Sequence, residues 1–406
     1  MKTLLIVSGG IEAIPGIKLA RDMGLFVVVS DGNPNAPGFA FANDRIVAST
    51  YDVEGTLYSA LQYSKERRPI DGVMCIASDV PLTVATIAEA LGLAGISTAS
   101  ARLAMDKLAM KQKFHADRIP VPWFASVNSP EQLKHVIGAQ GCPLVIKPVD
   151  SRGARGVLRL TREVDADWAF NEAKKHSPTG RVMIEKFLSG PQVSTESLML
   201  DGVAYTPGFS DRNYEYLAKY APHIIENGGD LPSCLPAEVQ RAVRELVGRA
   251  AISMGIRNGV VKGDIVVCDG EPYVIELAAR LSGGYFCTHE IPLNTGVDLV
   301  GNAIRVALGE RPNAGDLAPR HQRCVCQRYL FPTPGRVISV RGHDKVTNWP
   351  GVELCEIRVK PGDLLRTVDD HPARAGVVIV TGETRAEAIT LAEKAIESIE
   401  ITVEQV

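Results

Sequence analysis

Residues 264–280 read D-I-V-V-C-D-G-E-P-Y-V-I-E-L-A-A-R, two apolar runs joined across Asp269-Gly270. That pattern predicts a β-hairpin. With a loop of Asp269 to Glu271, Asp264 stands opposite Glu276 and both side chains point to one face. Like charges so placed destabilise a strand pair unless a cation neutralises them. Ala278 and Arg280 follow on the same face. Two carboxylates and a guanidinium suit Mg2+ (or Mn2+), because Mg2+ takes few carboxylates and completes its shell with phosphate oxygens and water. A loop one residue shorter would place the acids on opposite faces. The apolar neighbours Ile265, Val266, Val267, Val274 and Ile275 argue against an exposed, salt-bridged strand. Lys262 shares the face of Asp264, either as a second cation of the site or as a solvated strand residue.

A second chemical signal is S-R-G-A-R-G-V, Ser151 to Val157, between the strand-like runs LVIKP and VLRL. Gly153 and Gly156 can take positive φ and bring backbone N–H groups close to phosphate oxygens, and Arg152 and Arg155 add charge. A Walker A loop would read G-x-x-x-x-G-K-[ST] and lead into a helix, which this segment does not do. The alternative is a flexible hairpin with two solvated arginines.

The elements that must hold these residues are an α/β alternation followed by strand-rich segments. Residues 1 to about 98 alternate apolar strands (Leu4 to Val7, Phe26 to Ser30, Val73 to Ala77) with helical stretches, which implies a parallel sheet covered on both faces. The turn after the first strand, SGGIEAIPG, lacks the G-x-G-x-x-G spacing of a dinucleotide fingerprint. Asp31 and Asp79 follow strands at the edge where open sheets bind ligands, but turn and cap roles are the simpler reading for both. A helix is expected around Met105 to His115, then strands at Leu144 to Lys147 and Val182 to Glu185.

At 406 residues two or three domains are expected. A formal net charge of −3 leaves no footprint for nucleic acid or an anionic membrane surface. No stretch approaches the roughly 18 apolar residues of a membrane span. The N-terminal run reads as a first strand, and eight scattered cysteines suit a reducing, cytoplasmic setting. Cys324 and Cys326 share a strand face and are read as structural.

Arg212 to Pro232 interrupts the strand pattern with aromatic, acidic, Gly and Pro residues, and loops of this kind often carry binding; His223 and Glu226 are its candidates. The Leu281 to Gly284 turn would let backbone N–H groups of Ser282, Gly283 and Gly284 approach an acyl phosphate or carboxylate. His289 and Glu290 either line the same pocket or cap the next helix. Residues 311–406 look like strands closing with a helix, Arg385 to Ser398, without a catalytic motif; Arg328 and His371 could reach the cleft, but solvent exposure is the simpler reading for both.

The order of Lys107 in MDKLAMKQ, the IKP at Ile146 to Pro148, SRGARGV, IEKFLSGPQVSTE and GDIVVCDGEPYVIELAARLSGG resembles the ATP-grasp superfamily, its carboxylate–amine ligase branch and the L-amino-acid ligases in particular. The resemblance implies a Rossmann-like first domain (1–98), a two-lobed ATP-grasp domain (99–310; lid lobe about 115–188, larger lobe about 189–310) and a small α+β closing domain (311–406). It implies that Lys107 and Lys147 contact ATP phosphates and that Ser151 to Val157 closes as a lid. Glu185, Lys186, Phe187 and Leu188 would form the adenine hinge through backbone groups, with Gln192 at the ribose. Asp264 and Glu276 match the family's metal pair, and Arg280, with Lys262, would stabilise charge on the acyl phosphate. Two departures stand out: Gln192 replaces the usual Glu, and Ala278 replaces the Asn of the metal motif Glu-x-Asn-x-Arg. The implied reaction joins a small-molecule carboxylate to an amine with release of ADP and phosphate, and a homodimer through the first domain is common in the family. The rivals are a bicarbonate-using carboxylase or carbamoyl-phosphate-type enzyme, and a non-catalytic ATP-binding regulatory protein.

Overall fold

The computed structural model describes residues 1–405. Strands β1 (Thr3–Val7), β2 (Phe26–Asp31), β3 (Asp44–Val47) and β4 (Gly72–Met74) pair in parallel in the order β3-β2-β1-β4. Every residue of β1 is buried, because helices cover both faces of the sheet. The fourth strand is shorter than the sequence suggests: Ala77 sits at φ 56°, outside strand geometry.

The helix expected around Met105 is two helices, Thr98–Met105 and Lys107–Ala116. Asp106 between them is extended and accepts the N–H of Ala109 at 2.9 Å, capping the second helix. That break makes Lys107 the first residue of its helix, where its side chain can turn toward the cleft.

Strands β5 (Phe124–Val127), β6 (Leu144–Pro148), β7 (Leu158–Leu160) and β8 (Val182–Lys186) form an antiparallel sheet in the order β5-β8-β6-β7. Leu144, Ile146, Leu158, Leu160 and Ile184 point to one side of it and pack on helices Pro130–Gln140 and Ala166–Lys175. The opposite side carries Lys147 and Glu185 toward the cleft.

The largest sheet takes β9 (Gln192–Leu200), β10 (Val203–Arg212), β11 (Gly229–Leu231), β12 (Gly259–Cys268), β13 (Glu271–Ala278) and β14 (Cys324–Leu330). After β15 (Gly335–Arg341), it takes β16 (Val352–Ile357); β17 (Leu364–Leu365) intervenes before β18 (Gly376–Gly382), and β19 (Glu400–Glu404) ends the chain's strands. The order is β13-β12-β9-β10-β11-β14-β18-β16, so strands from before and after residue 310 belong to one sheet. The chain does not close with its last helix, Arg385–Glu397; β19 follows and pairs with β15. The apolar core beside the first sheet joins Leu4 and Ile6 to Leu281, Phe286, Val325 and Ile379, and so holds distant parts of the chain around one cleft. Among the described residues no helix is long and apolar enough to cross a membrane.

Candidate active site

The hairpin turn is two residues long, with Cys268 paired to Glu271, and not the three-residue loop expected. Regular pairing from that turn would set Asp264 against Ile275 and turn Glu276 to the other face. A bulge between Ile265 and Asp264 takes up one extra residue of β13, and Asp264 pairs with Glu276. The two acids therefore face each other by a different route from the one the sequence suggests. Arg212 Nη1 lies 2.6 Å from Asp264 Oδ1, Lys262 Nζ bonds the same oxygen, and Ser194 Oγ donates to it at 3.2 Å. Burial alone would raise the Asp264 carboxyl, but Arg212 and Lys262 hold it below the usual carboxylate range. Glu276 Oε2 faces Lys107 Nζ at 3.4 Å.

Among the described residues no cluster of three or more His, Cys, Asp or Glu forms a protein cage for a metal. Two acids on one wall of a cleft fit a cation that draws its remaining ligands from phosphates and water, as Mg2+ does. They do not fit a closed four-ligand site.

Opposite the hairpin, Lys147 Nζ is 2.5 Å from Glu185 Oε1, and Lys111 Nζ is 2.8 Å from Glu185 Oε2; all three residues are buried. Burial pushes Glu185 up, yet the two lysines outweigh it and hold it ionised. Burial brings Lys111 down to about 8, with Lys147 adding to the effect. The Glu185 side chain thus fixes Lys147. Lys186 N–H donates to Trp123 O at 2.8 Å and Phe187 N–H to Pro143 O at 3.3 Å, so both of these N–H groups are taken within the chain. Lys186, Phe187, Leu188 and Gln192 all line the cleft. Lys107 Nζ donates to Ser151 O at 2.7 Å. Burial lowers its ammonium pKa, but Glu276 and Asp79 outweigh burial and raise it.

The Ser151 to Val157 loop is folded down. Gly153, Ala154 and Gly156 all take positive φ, at 63°, 60° and 67°. Arg152 lies over the Tyr51 ring, 3.8 Å from its centroid, and donates to Asp79 O at 3.4 Å. Arg155 Nε is 3.6 Å from Asp370 Oδ2, and His371 N–H donates to Gly153 O at 3.0 Å. The arginines are thus docked on the first sheet's loops and on the C-terminal segment instead of being solvated. Gly156 is off the cleft wall: a Cβ there would lie 3.1 Å from Pro148 Cγ and from His176 Cβ.

At the far end, Arg280 Nε is 3.5 Å from Asp79 Oδ1, which gives Asp79 a place in the site beyond its turn role. Asp31 keeps the turn role, accepting from Gly9 N–H and Asn33 N–H, both at 2.8 Å. The expectation for the Leu281 to Gly284 turn needs correction. Ser282 gives its N–H to Glu196 Oε1 (2.7 Å) and its hydroxyl to Glu196 Oε2, while Gly284 N–H donates to Glu12 Oε2 at 2.7 Å. Two of the three N–H groups offered to an anion are therefore already bound by the chain's own carboxylates. Gly283 remains on the cleft wall. Glu226 lines the cleft and bonds Arg212, but His223 does not reach it: its ring packs edge-on against Trp168 at 6.3 Å and its backbone bridges to Leu158. His289 turns to Tyr285, whereas Glu290 faces the cleft.

The reading of Arg328 and His371 as exposed fails. Arg328 is buried in an ion pair with Asp230 at 2.9 Å, and His371 lies in the cleft wall. Tyr329, Arg358 and Arg374 line the cleft too, from a segment in which the sequence offers no motif. Lys111 lies four residues after Lys107 and hence on the same helix face, a spacing visible in the sequence. The whole cleft measures about 650 Å3.

Residues 104–284 match the ATP-grasp domain, and residues 328–404 match L-amino acid ligase C-terminal domain 2. The chain carries an ATP-grasp domain and an L-amino acid ligase C-terminal domain. It is 27% identical over 391 residues to the uncharacterized protein y4rH of Sinorhizobium fredii, covering 95% of this chain and 79% of that one. It is 28% identical over 232 residues to D-alanine–D-alanine ligase of Desulforudis audaxviator, covering 54% of this chain and 69% of that one. Its fold resembles the crystal structure of L-amino acid ligase from Bacillus licheniformis, with a TM-score of 0.84, 21% identity and coverage of 100% and 99% of the two chains.

Proposed function

We propose that this protein joins the carboxylate of one amino-acid-like substrate to the amine of another through an acyl phosphate, releasing ADP and phosphate. The observation that carries the reading is a single cleft with Lys107, Lys147 and a folded glycine loop on one wall and Asp264, Glu276 and Arg280 on the other. The match of residues 328–404 to an L-amino acid ligase domain supports amino acids as the substrate class.

In this reading Lys107 and Lys147 neutralise ATP phosphates, and the Glu185 side chain keeps the Lys147 ammonium in place. The adenine stands against Glu185 to Leu188 and the ribose near Gln192, whose amide can bond a hydroxyl as a carboxylate would. The Ser151 to Val157 loop excludes water over the phosphates. Asp264 and Glu276 would hold Mg2+ (or Mn2+), which when bound neutralises charge on the β- and γ-phosphates. Ala278 supplies no ligand, so the protein's share is two carboxylates. Arg280, and Lys262 beside Asp264, stabilise negative charge on the acyl phosphate and on the tetrahedral adduct formed by the amine. Glu226 and Gly283 border the substrate end.

The test is ADP release with ATP and Mg2+ over single amino acids, amino-acid pairs and bicarbonate, with products read by mass spectrometry. Release that needs a pair, with a dipeptide mass, is the expected result. Release with bicarbonate alone would move the protein to the carboxylase class, and ATP binding without turnover in every arm would make it a regulatory protein.

A further inference from the structure

Most charged side chains of the cleft are paired within the chain. Asp264 has Arg212 and Lys262, Glu226 has Arg212, Arg280 has Asp79, and Glu12 has Arg358 at 2.6 Å. Among the carboxylates of the cleft Glu290 is the exception. It is 3% exposed, it lines the cleft, and among the described residues its carboxyl oxygens have neither a hydrogen bond nor an ion pair.

The backbone that delivers it is unusual. Glu290 ends a π-helical turn, Phe286–Glu290, entered through Tyr285 at φ 64°, a left-handed conformation that a bulky side chain rarely takes. Tyr285 is held there by its hydroxyl, which bonds Glu356. Such local strain tends to persist where it aims a functional group.

The surroundings are acidic. Burial raises the Glu290 carboxyl well above the usual range, and Glu226, Asp230 and Glu196 push the same way against Arg328, which is committed to Asp230. Glu290 opens on the cleft, where an incoming cation would favour its ionised form against these acids.

We infer that Glu290 anchors a cationic amino group of the substrate at the inner end of the cleft, either the α-ammonium of an amino acid or a basic side chain. This rests on the ligase reading above.

The test is calorimetric binding to the full chain with Mg2+ and a non-hydrolysable ATP analogue present. Three probes separate the sources: L-lysine carries both amines, L-norleucine only the α-ammonium, and 6-aminohexanoate only the terminal amine. Glu290→Gln keeps the shape and removes the charge. It is expected to weaken lysine binding about ten- to a hundredfold, the range of a charged hydrogen bond, while Glu290→Asp retains part of the affinity. Equal losses for lysine and norleucine assign the α-ammonium; losses for lysine and 6-aminohexanoate with norleucine unchanged assign a basic side chain. Unchanged binding of all three probes by the Gln variant overturns the inference, as does a wild-type protein that binds none of them. Retained binding of the ATP analogue shows that the variant is folded. Absence of ADP release by the wild type would sink the ligase reading and leave these binding results standing.

Discussion

Asp264 and Glu276 meet across their hairpin while differing in what surrounds them: Asp264 is buried beneath Arg212 and Lys262, whereas the Glu276 side chain is about one-third exposed (32%) and faces only Lys107. Removing their charges should therefore have different costs. Glu276→Gln is expected to lower ADP release by roughly a hundred- to a thousandfold and to change stability by less than about 1 kcal/mol. Asp264→Asn leaves Lys262 without its partner and Arg212 with Glu226 alone, and is expected to cost about 3 kcal/mol in urea unfolding as well as turnover. A Glu276→Gln variant with normal turnover contradicts the assignment of the metal pair.

The Lys111, Glu185 and Lys147 triad is buried throughout, so breaking it is expensive. Glu185→Gln strands two ammonium groups and is expected to destabilise the protein by about 3–5 kcal/mol. Combining it with Lys111→Met, which removes one of those charges, should recover a measurable part of the loss in the same urea titration. No recovery would mean that the two residues do not share one electrostatic site.

Glu196 titrates against stability. Burial raises its carboxyl to about 7 from the ordinary 4.5, even though Ser282 donates to it twice. A folded-state pKa above the unfolded one means that the native protein binds the extra proton. Its contribution is complete below about pH 4.5 and lost as pH rises through about 7, a fall of about 3 kcal/mol over that window. Glu196→Gln should flatten that component of the pH–stability curve. A wild-type curve with the same slope as the variant between pH 4.5 and 7 would refute it.

Gly153 and Gly156 both sit at positive φ, but a side chain at Gly156 would strike Pro148 and His176 in the body of the lobe, whereas at Gly153 it would meet only Pro372 at 3.3 Å. Gly156→Ala is expected to cost about 1–3 kcal/mol. Gly153→Ala should cost less stability and instead raise the KM for ATP severalfold, by loosening the loop's contact with the C-terminal segment. Urea titration and ATP saturation curves separate the two.

Much of this site is legible in local sequence because its parts are local. The hairpin pattern sets Asp264 and Glu276 on adjacent strands, and the order of the ATP-grasp segments points to Lys107, Lys147 and the glycine loop. What escapes has long-range causes. The bulge opposite Asp264 leaves no mark in the alternation of β13, and the true register rests on a two-residue turn that alone predicts the opposite face. Tyr329 reaches the cleft because β14 adds to β11 in the large sheet, with Asp230 paired to Cys326. The same pairing buries Arg328 on Asp230. No spacing in the sequence encodes a contact between residues about a hundred positions apart. His223 fails for the opposite reason: a histidine in a loop resembles a ligand in sequence, and only packing against Trp168 shows where it points.

In the proposed reaction the substrate carboxylate attacks the γ-phosphate. This step is tested most directly by giving the enzyme an amino acid whose carboxylate carries oxygen-18, with ATP, Mg2+ and the accepting amine, and weighing the phosphate released. An acyl-phosphate route transfers one carboxylate oxygen to phosphate, so released phosphate should carry a single oxygen-18 in proportion to the amide formed. Amide formation with unlabelled phosphate would contradict that route.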